Sequence, residues 1–202
     1  MPAAFAAERN LYNSINSRFL VMAIFDKSFV EIFSSQAVSI SGGLIAGTIL
    51  ALYADQLLML PGMLILLVGF LEMRGNINGS FAARLSSGLF LKVIDPENYK
   101  TKIIDGNLIA SFILTFIIAI ALGVITFFFN LLVFNIYTPQ IIAVSIIAVV
   151  LANLIELPLT LYTTFYLFKK GHDPNNIMGP FVTSTGDIIG TISLLIAIFF
   201  VL

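Results

Sequence analysis

The chain has no cysteine, no tryptophan and a single histidine, His172, among its 202 residues. Without thiols there is neither a disulfide nor a thiolate metal site, and one imidazole cannot build a histidine cluster. Charge is scarce as well: Asp, Glu, Lys and Arg make up 10% of the residues, against about 25% in soluble domains. The net charge is −1, with no basic stripe of the kind nucleic acid requires. There is no Walker A loop and no nucleophile–base–acid constellation. Neither an enzyme, nor an ATP-driven pump, nor an organic cofactor is expected. Residues 1–10 lack the basic region and apolar core of a cleavable signal.

What is abundant is apolar surface: 59% of the residues are hydrophobic and the mean hydropathy is +1.03. This composition predicts an all-α, multi-pass protein of the cell membrane, with the lipid bilayer as its solvent. Five spans are expected, at about 29–53, 57–73, 105–129, 139–168 and 177–202. Residues 1–28 form a separate segment. There Leu11, Ile15, Phe19 and Met22 follow helical spacing among charges such as Glu8, Arg9 and Arg18, the pattern of an amphipathic helix lying in the interface. Residues 29–202 form the transmembrane domain. All 10 basic residues fall at or before the start of span one, between spans two and three, or between spans four and five. By the positive-inside rule the N-terminus is inside and the C-terminus outside.

Several local features refine this outline. Gly43 and Gly47 form a G-x-x-x-G that lets helix backbones approach closely. Gly75 and Gly79, after the second apolar run, predict a break or a close approach, with Ser80–Leu89 as a further amphipathic helix. Irregular backbone at membrane depth is tolerated where it is buried or lines water, so this region reads as the inner mouth of a pathway. Asp95-Pro96 reads as a turn that starts a helix, and Asp173-Pro174 as the N-cap of span five.

The residue that stands out is Asp187, in the run Pro180-Phe181-Val182-Thr183-Ser184-Thr185-Gly186-Asp187-Ile188-Ile189-Gly190. It lies roughly 15 Å along a helix starting at Ile177, near the midplane of a bilayer core about 30 Å thick. An ionisable group there costs on the order of 3 kcal/mol and marks an ion or proton path. The alternative is a protonated acid serving packing. Hard divalent cations take oxygen ligands, and Mg²⁺ meets only one or two carboxylates while keeping water. One Asp187 per chain, repeated across a two-fold axis, would supply two charges. Thr183, Ser184 and Thr185 could donate to the carboxylate or offer oxygens to a hydrated ion, and Gly186 and Gly190 could clear space beside it. Glu156 falls near the same depth, either as a second carboxylate of the path or as a cap for backbone groups freed at Pro158. Glu72, Asn76 and Asn78 offer oxygens at the inner mouth, with helix capping as the alternative. Asn176 could face the inner vestibule. His172 reads as a solvated loop residue.

Three stretches together resemble a known family. Gly75-Asn76-Ile77-Asn78-Gly79-Ser80-Phe81-Ala82-Ala83-Arg84-Leu85-Ser86-Ser87, preceded by Pro61, is similar to the glycine–asparagine motif of MgtE-type magnesium transporters. Its Ala-Arg-Leu-Ser-Ser ending is closer to the solute-carrier branch. Lys170-Gly171-His172-Asp173-Pro174-Asn175-Asn176 and the run from Pro180 to Gly190 resemble the family's last-span motif. The resemblance covers about residues 29–202 and looks like a stand-alone half-size form. It implies a five-helix domain that dimerises, with itself or a homologous half, around a central pathway. Mg²⁺ would be the transported ion, Asp187 the main cation-binding carboxylate, and Asn76 a neighbour of the path. The second Asn-Gln of the bacterial motif is replaced here by Asn78-Gly79-Ser80. The metal-site expectation therefore comprises Asp187, Asn76, Glu156, Thr183, Asn176 and Glu72. Sodium- or proton-coupled Mg²⁺ exchange, with Glu156 as the coupling site, is the rival within transport. A non-transporting subunit of a larger complex is the rival outside it.

Overall fold

The computed structural model describes residues 26–202. The interfacial helix expected over 1–28 therefore lies outside the described residues, apart from its last three. Among the described residues every regular element is helical: α1 (Lys27–Leu52), α2 (Ala54–Leu58), α3 (Met63–Phe90), α4 (Lys102–Val133), α5 (Gln140–Lys169) and α6 (Pro174–Val201). Four of these, α1, α4, α5 and α6, are long and apolar enough to cross a membrane. Helix α3 has 28 residues but carries Glu72, Arg74 and Arg84.

The helix ends follow local chemistry. Asp26 caps α1 by accepting from Lys27 N, Thr101 caps α4 by accepting from Ile104 N, and Asp173 caps α6 by accepting from Asn175 N, with Pro174 in the first turn. Pro180 inside α6 has no N–H to give to the carbonyl of Asn176. Ser35 Oγ of α1 lies 3.2 Å from that carbonyl oxygen, so a neighbouring helix supplies what the proline withholds.

Three expectations are corrected. Gly75 and Gly79 do not break the chain: α3 runs unbroken from Met63 to Phe90. A glycine inside a helix costs about 1 kcal/mol, less than the packing of Phe70, Phe81 and Leu85 on either side returns. The turn at Asp95-Pro96 starts no helix; Asp95 Oδ1 accepts from Glu97 N at 2.9 Å, and α4 waits for the cap at Thr101. The gap expected between the first two spans, at 53–57, is occupied by the short helix α2.

Helices α3, α5 and α6 form the centre, α4 covers α3 and α5, and α1 packs on α6. Two apolar clusters fill the bundle. One gathers Leu66, Phe70, Val144, Ala148 and Leu194; the other gathers Phe81, Leu85, Ile104, Leu157 and Phe165. Between them, on α3, α4 and α5, lies a polar layer that includes Arg74, Asn78, Thr115, Asn153 and Glu156, all buried. Asn153 Nδ2 donates to Thr115 Oγ1 at 2.6 Å there. Close approach is bought by small residues: a Cβ on Gly123 of α4 would stand 3.0 Å from Ile142 Cα, and one on Gly42 of α1 would stand 2.7 Å from Ser184 Cβ.

The entry to α3 is a tight corner. Gly62 has φ +80 and its α-carbon faces the Asn130 amide, which donates to Pro61 O at 2.6 Å and to Thr138 Oγ1 at 2.8 Å. Both the left-handed backbone and the absent Cβ are required. Gly62→Ala is expected to cost about 1–3 kcal/mol, read as a lower thermal unfolding midpoint in detergent. An unchanged midpoint would show that the corner relaxes freely.

Candidate functional site

Helices α3 and α6 run antiparallel. A Cβ on Gly75 would stand 4.0 Å from Thr183 Oγ1, and one on Gly190 would stand 2.8 Å from Leu71 Cδ2. This register sets Glu72 level with Asp187. Asp187 sits at the middle of α6 and is half-buried, while Glu72, Asn76 and Thr183 beside it are exposed. Asn76 Nδ2 donates to Glu72 Oε1 at 3.0 Å. Four of the six expected site residues thus share one outward-facing edge of the α3–α6 seam. Of the residues expected at an inner mouth, the unbroken α3 sets Glu72 level with Asp187 and Asn76 near Thr183, one turn away. Among the described residues no three acidic or histidine side chains converge; Asp187 and Glu72 are the carboxylates this edge offers.

The hydroxyls around Asp187 do not donate to it. Thr183 Oγ1 donates to Gly179 O at 3.1 Å, Ser184 Oγ to Phe181 O at 3.2 Å and Thr185 Oγ1 to Phe181 O at 2.7 Å. Their hydrogens are spent on their own helix, as is usual for Ser and Thr in apolar helices. The lone pairs of the exposed Thr183 oxygen remain for a cation or its water.

Glu156 is placed differently from its expectation. Its carboxylate, 3% exposed, is ion-paired with Arg74 inside the bundle and accepts from Asn78 Nδ2. It neither stands beside Asp187 on the open edge nor caps backbone groups near Pro158. Arg74 is itself 1% exposed, its guanidinium 5.2 Å from the Phe70 ring centroid. Its Nη1 donates to Gly186 O at 3.2 Å. The glycines of the last span make room for this pair rather than for Asp187. A Cβ on Gly190 would collide with Arg74 Nη1, and one on Gly186 would stand 3.6 Å from Glu156 Oε1. Asn78, expected as a path or capping residue, belongs to the same buried group. Arg74 and Glu72 are the charged neighbours of Asp187.

Asn176 is also engaged elsewhere. Its Nδ2 donates to Glu31 Oε2 at 3.0 Å, and His172 Nδ1 lies 2.9 Å from Glu31 Oε1. Lys27 Nζ donates to Gly171 O. Glu31, 6% exposed, therefore ties the start of α1 to the α5–α6 loop. His172 is an exposed loop residue, as expected, and also a member of this latch. Neither Arg74 nor Glu31 stood out in the sequence. For Arg74 the signal available was a basic residue inside an apolar helix whose only opposite charge in α5 is Glu156.

A family model described as MgtE, divalent cation transporter, matches residues 67–197. That range contains the whole α3–α6 edge and the buried pair. No curated protein matches the chain.

Removing one partner of a buried ion pair costs about 3–5 kcal/mol, whereas replacing both by apolar residues of similar size is often neutral. Arg74→Ala is accordingly expected to lower the thermal midpoint strongly, and Arg74→Met with Glu156→Met to recover most of it. Equal losses in the single and double variants would show that the pair contributes shape alone.

Proposed function

From the premise that the chain belongs to the MgtE family of divalent cation transporters, we propose that it carries Mg²⁺ across the membrane as a dimer, through a pathway lined by the α3–α6 edge. It is a multi-pass membrane protein of a transporter family rather than of an enzyme family. The observation that carries the finer reading is the placement of Glu72, Asn76, Thr183 and Asp187 on an outward-facing surface. On α4 and α5 the exposed residues Ile113, Leu114, Ile117 and Leu154 are apolar. Acidic groups facing lipid at mid-depth are expensive. An edge of this kind is satisfied by a second copy across a water-filled path, where two Asp187 and two Glu72 side chains would face one another. Rings of carboxylates select cations, and Mg²⁺ that keeps most of its water needs only one or two carboxylates and further oxygens to bind through that water. Asn76 and Thr183 supply such oxygens.

In this reading α3 is also a span, second in chain order, which brings the total to five. Its two central charges are accommodated because Arg74 turns inward to Glu156 and Glu72 turns toward the path. With the N-terminus inside, Lys92, Lys169 and Lys170 all fall on the inner side. Glu156 and Asn176, both engaged inside the fold, act on the path indirectly and not as ligands.

Asp187→Asn is expected to abolish divalent uptake into liposomes while leaving the thermal midpoint within a few degrees of the parent. Normal flux through that variant would end the assignment, and assaying with and without a sodium gradient tells a channel from a coupled exchanger. The cysteine-free chain also allows a test of the dimer. Thr183→Cys and Asn76→Cys are expected to form intersubunit disulfides on mild oxidation, with Ile117→Cys on the apolar face remaining monomeric.

A further inference from the structure

The fixed charge nearest the proposed cation site has the wrong sign for it. Arg74 reaches from α3 across the Gly186–Gly190 stretch of α6, the stretch that carries Asp187. A bare guanidinium there would neutralise Asp187 and repel a divalent ion. Instead its charge is compensated by the Glu156 carboxylate with which it is ion-paired, and Asn78 holds that carboxylate by donating to Glu156 Oε2. Arg74 Nε has no hydrogen-bond acceptor among the described residues; the guanidinium is ion-paired with Glu156, donates to the Gly186 carbonyl and lies over the Phe70 ring. The cradle is shaped for this arrangement: Gly190 has no room for a side chain because Arg74 occupies it.

We infer that Glu156 is a positioning residue whose task is to compensate the Arg74 charge beside Asp187, so that Asp187 stays available to a divalent cation. The inference rests on the reading of Asp187 as the cation site and adds to it a specific electrostatic dependence. Two consequences follow from charge alone. Glu156→Gln removes the counter-charge and leaves the guanidinium with Asp187 as its nearest unpaired anion. Cation affinity at Asp187 then falls, although Glu156 never touches the ion. Removing Arg74 as well takes away the competing charge, and affinity returns. A residue that ligates the ion directly cannot be rescued in this way.

The experiment is Mn²⁺ binding to the purified full chain in nanodiscs, read by the loss of the free-ion electron paramagnetic resonance signal. Four proteins are compared: the parent, Glu156→Gln, the pair Arg74→Met with Glu156→Met, and Asp187→Asn. Thermal midpoints are recorded for each. Glu156→Gln is expected to weaken Mn²⁺ binding by about tenfold or more, the scale of one charge relocated within several ångströms at a partly buried site. The double variant is expected to bind at least as tightly as the parent. If it binds as weakly as Glu156→Gln, Glu156 is a direct ligand and the inference is overturned. Unchanged binding in a folded Glu156→Gln protein overturns it too. If Glu156→Gln does not fold, the double variant decides alone: binding at or above the parent level supports the inference, and weakened binding overturns it. Asp187→Asn separates the two layers. Parent-like binding in that variant removes the cation-site reading itself. Lost binding there, together with failed rescue in the double variant, removes only the role given to Glu156.

Discussion

The ion pair between Arg74 and Glu156 is the constraint around which the bundle is arranged. Two opposite charges buried between apolar clusters cannot be separated without leaving one of them unpaired in a low-dielectric interior. The pair therefore fixes the register of α3 against α5. Through the Gly186 carbonyl and the space left at Gly190, it also fixes the register of α3 against α6. Everything at the open edge inherits that register. Glu72 stands level with Asp187, and Gly75 lies beside Thr183, because Arg74 is where it is.

The same constraint divides the polar residues of the transmembrane region into two groups. The inner group, Arg74, Asn78, Asn153, Thr115 and Glu156, satisfies itself within one chain and is buried. The outer group, Glu72, Asn76, Thr183 and half-buried Asp187, has only the Asn76–Glu72 hydrogen bond to tie it together and remains open. In water such an edge would need no partner. In a membrane it does, since lipid offers no hydrogen bonds to a carboxylate. The hydroxyl pattern supports the distinction: donors on α6 are consumed by the helix itself, which leaves oxygen lone pairs, the ligands a hard cation prefers.

Away from the seam, the N-terminal end of α6 is secured by a different device. Glu31 gathers His172, Asn176 and the backbone N–H of Asp173, the last at 3.4 Å, and α1 is thereby fastened to the loop that precedes α6. Helix α1 also packs along α6. Most of its length is exposed, including Gly43 and Gly47, whose missing side chains would meet nothing within 4 Å among the described residues. The expected close helix approach on α1 is made instead at Gly42, against Ser184.

Periodicity, composition and the placement of charge were enough to read a helical membrane protein, the positions of its long apolar helices to within a few residues, the cap at Asp173 and the prominence of Asp187. These are local properties: an apolar run of sufficient length has one stable form in lipid, and an isolated carboxylate within it is costly wherever the helix packs. The partner of each polar group was not local. Glu156 and Asp187 looked equivalent because depth along a helix can be counted from sequence, whereas rotation about its axis depends on which neighbour packs where. Only the tertiary structure turned Glu156 inward to Arg74 and left Asp187 at the edge. It alone showed that the glycines of the last span make room for an arginine from another helix, since a contact between residues more than a hundred positions apart leaves no periodic trace in either segment.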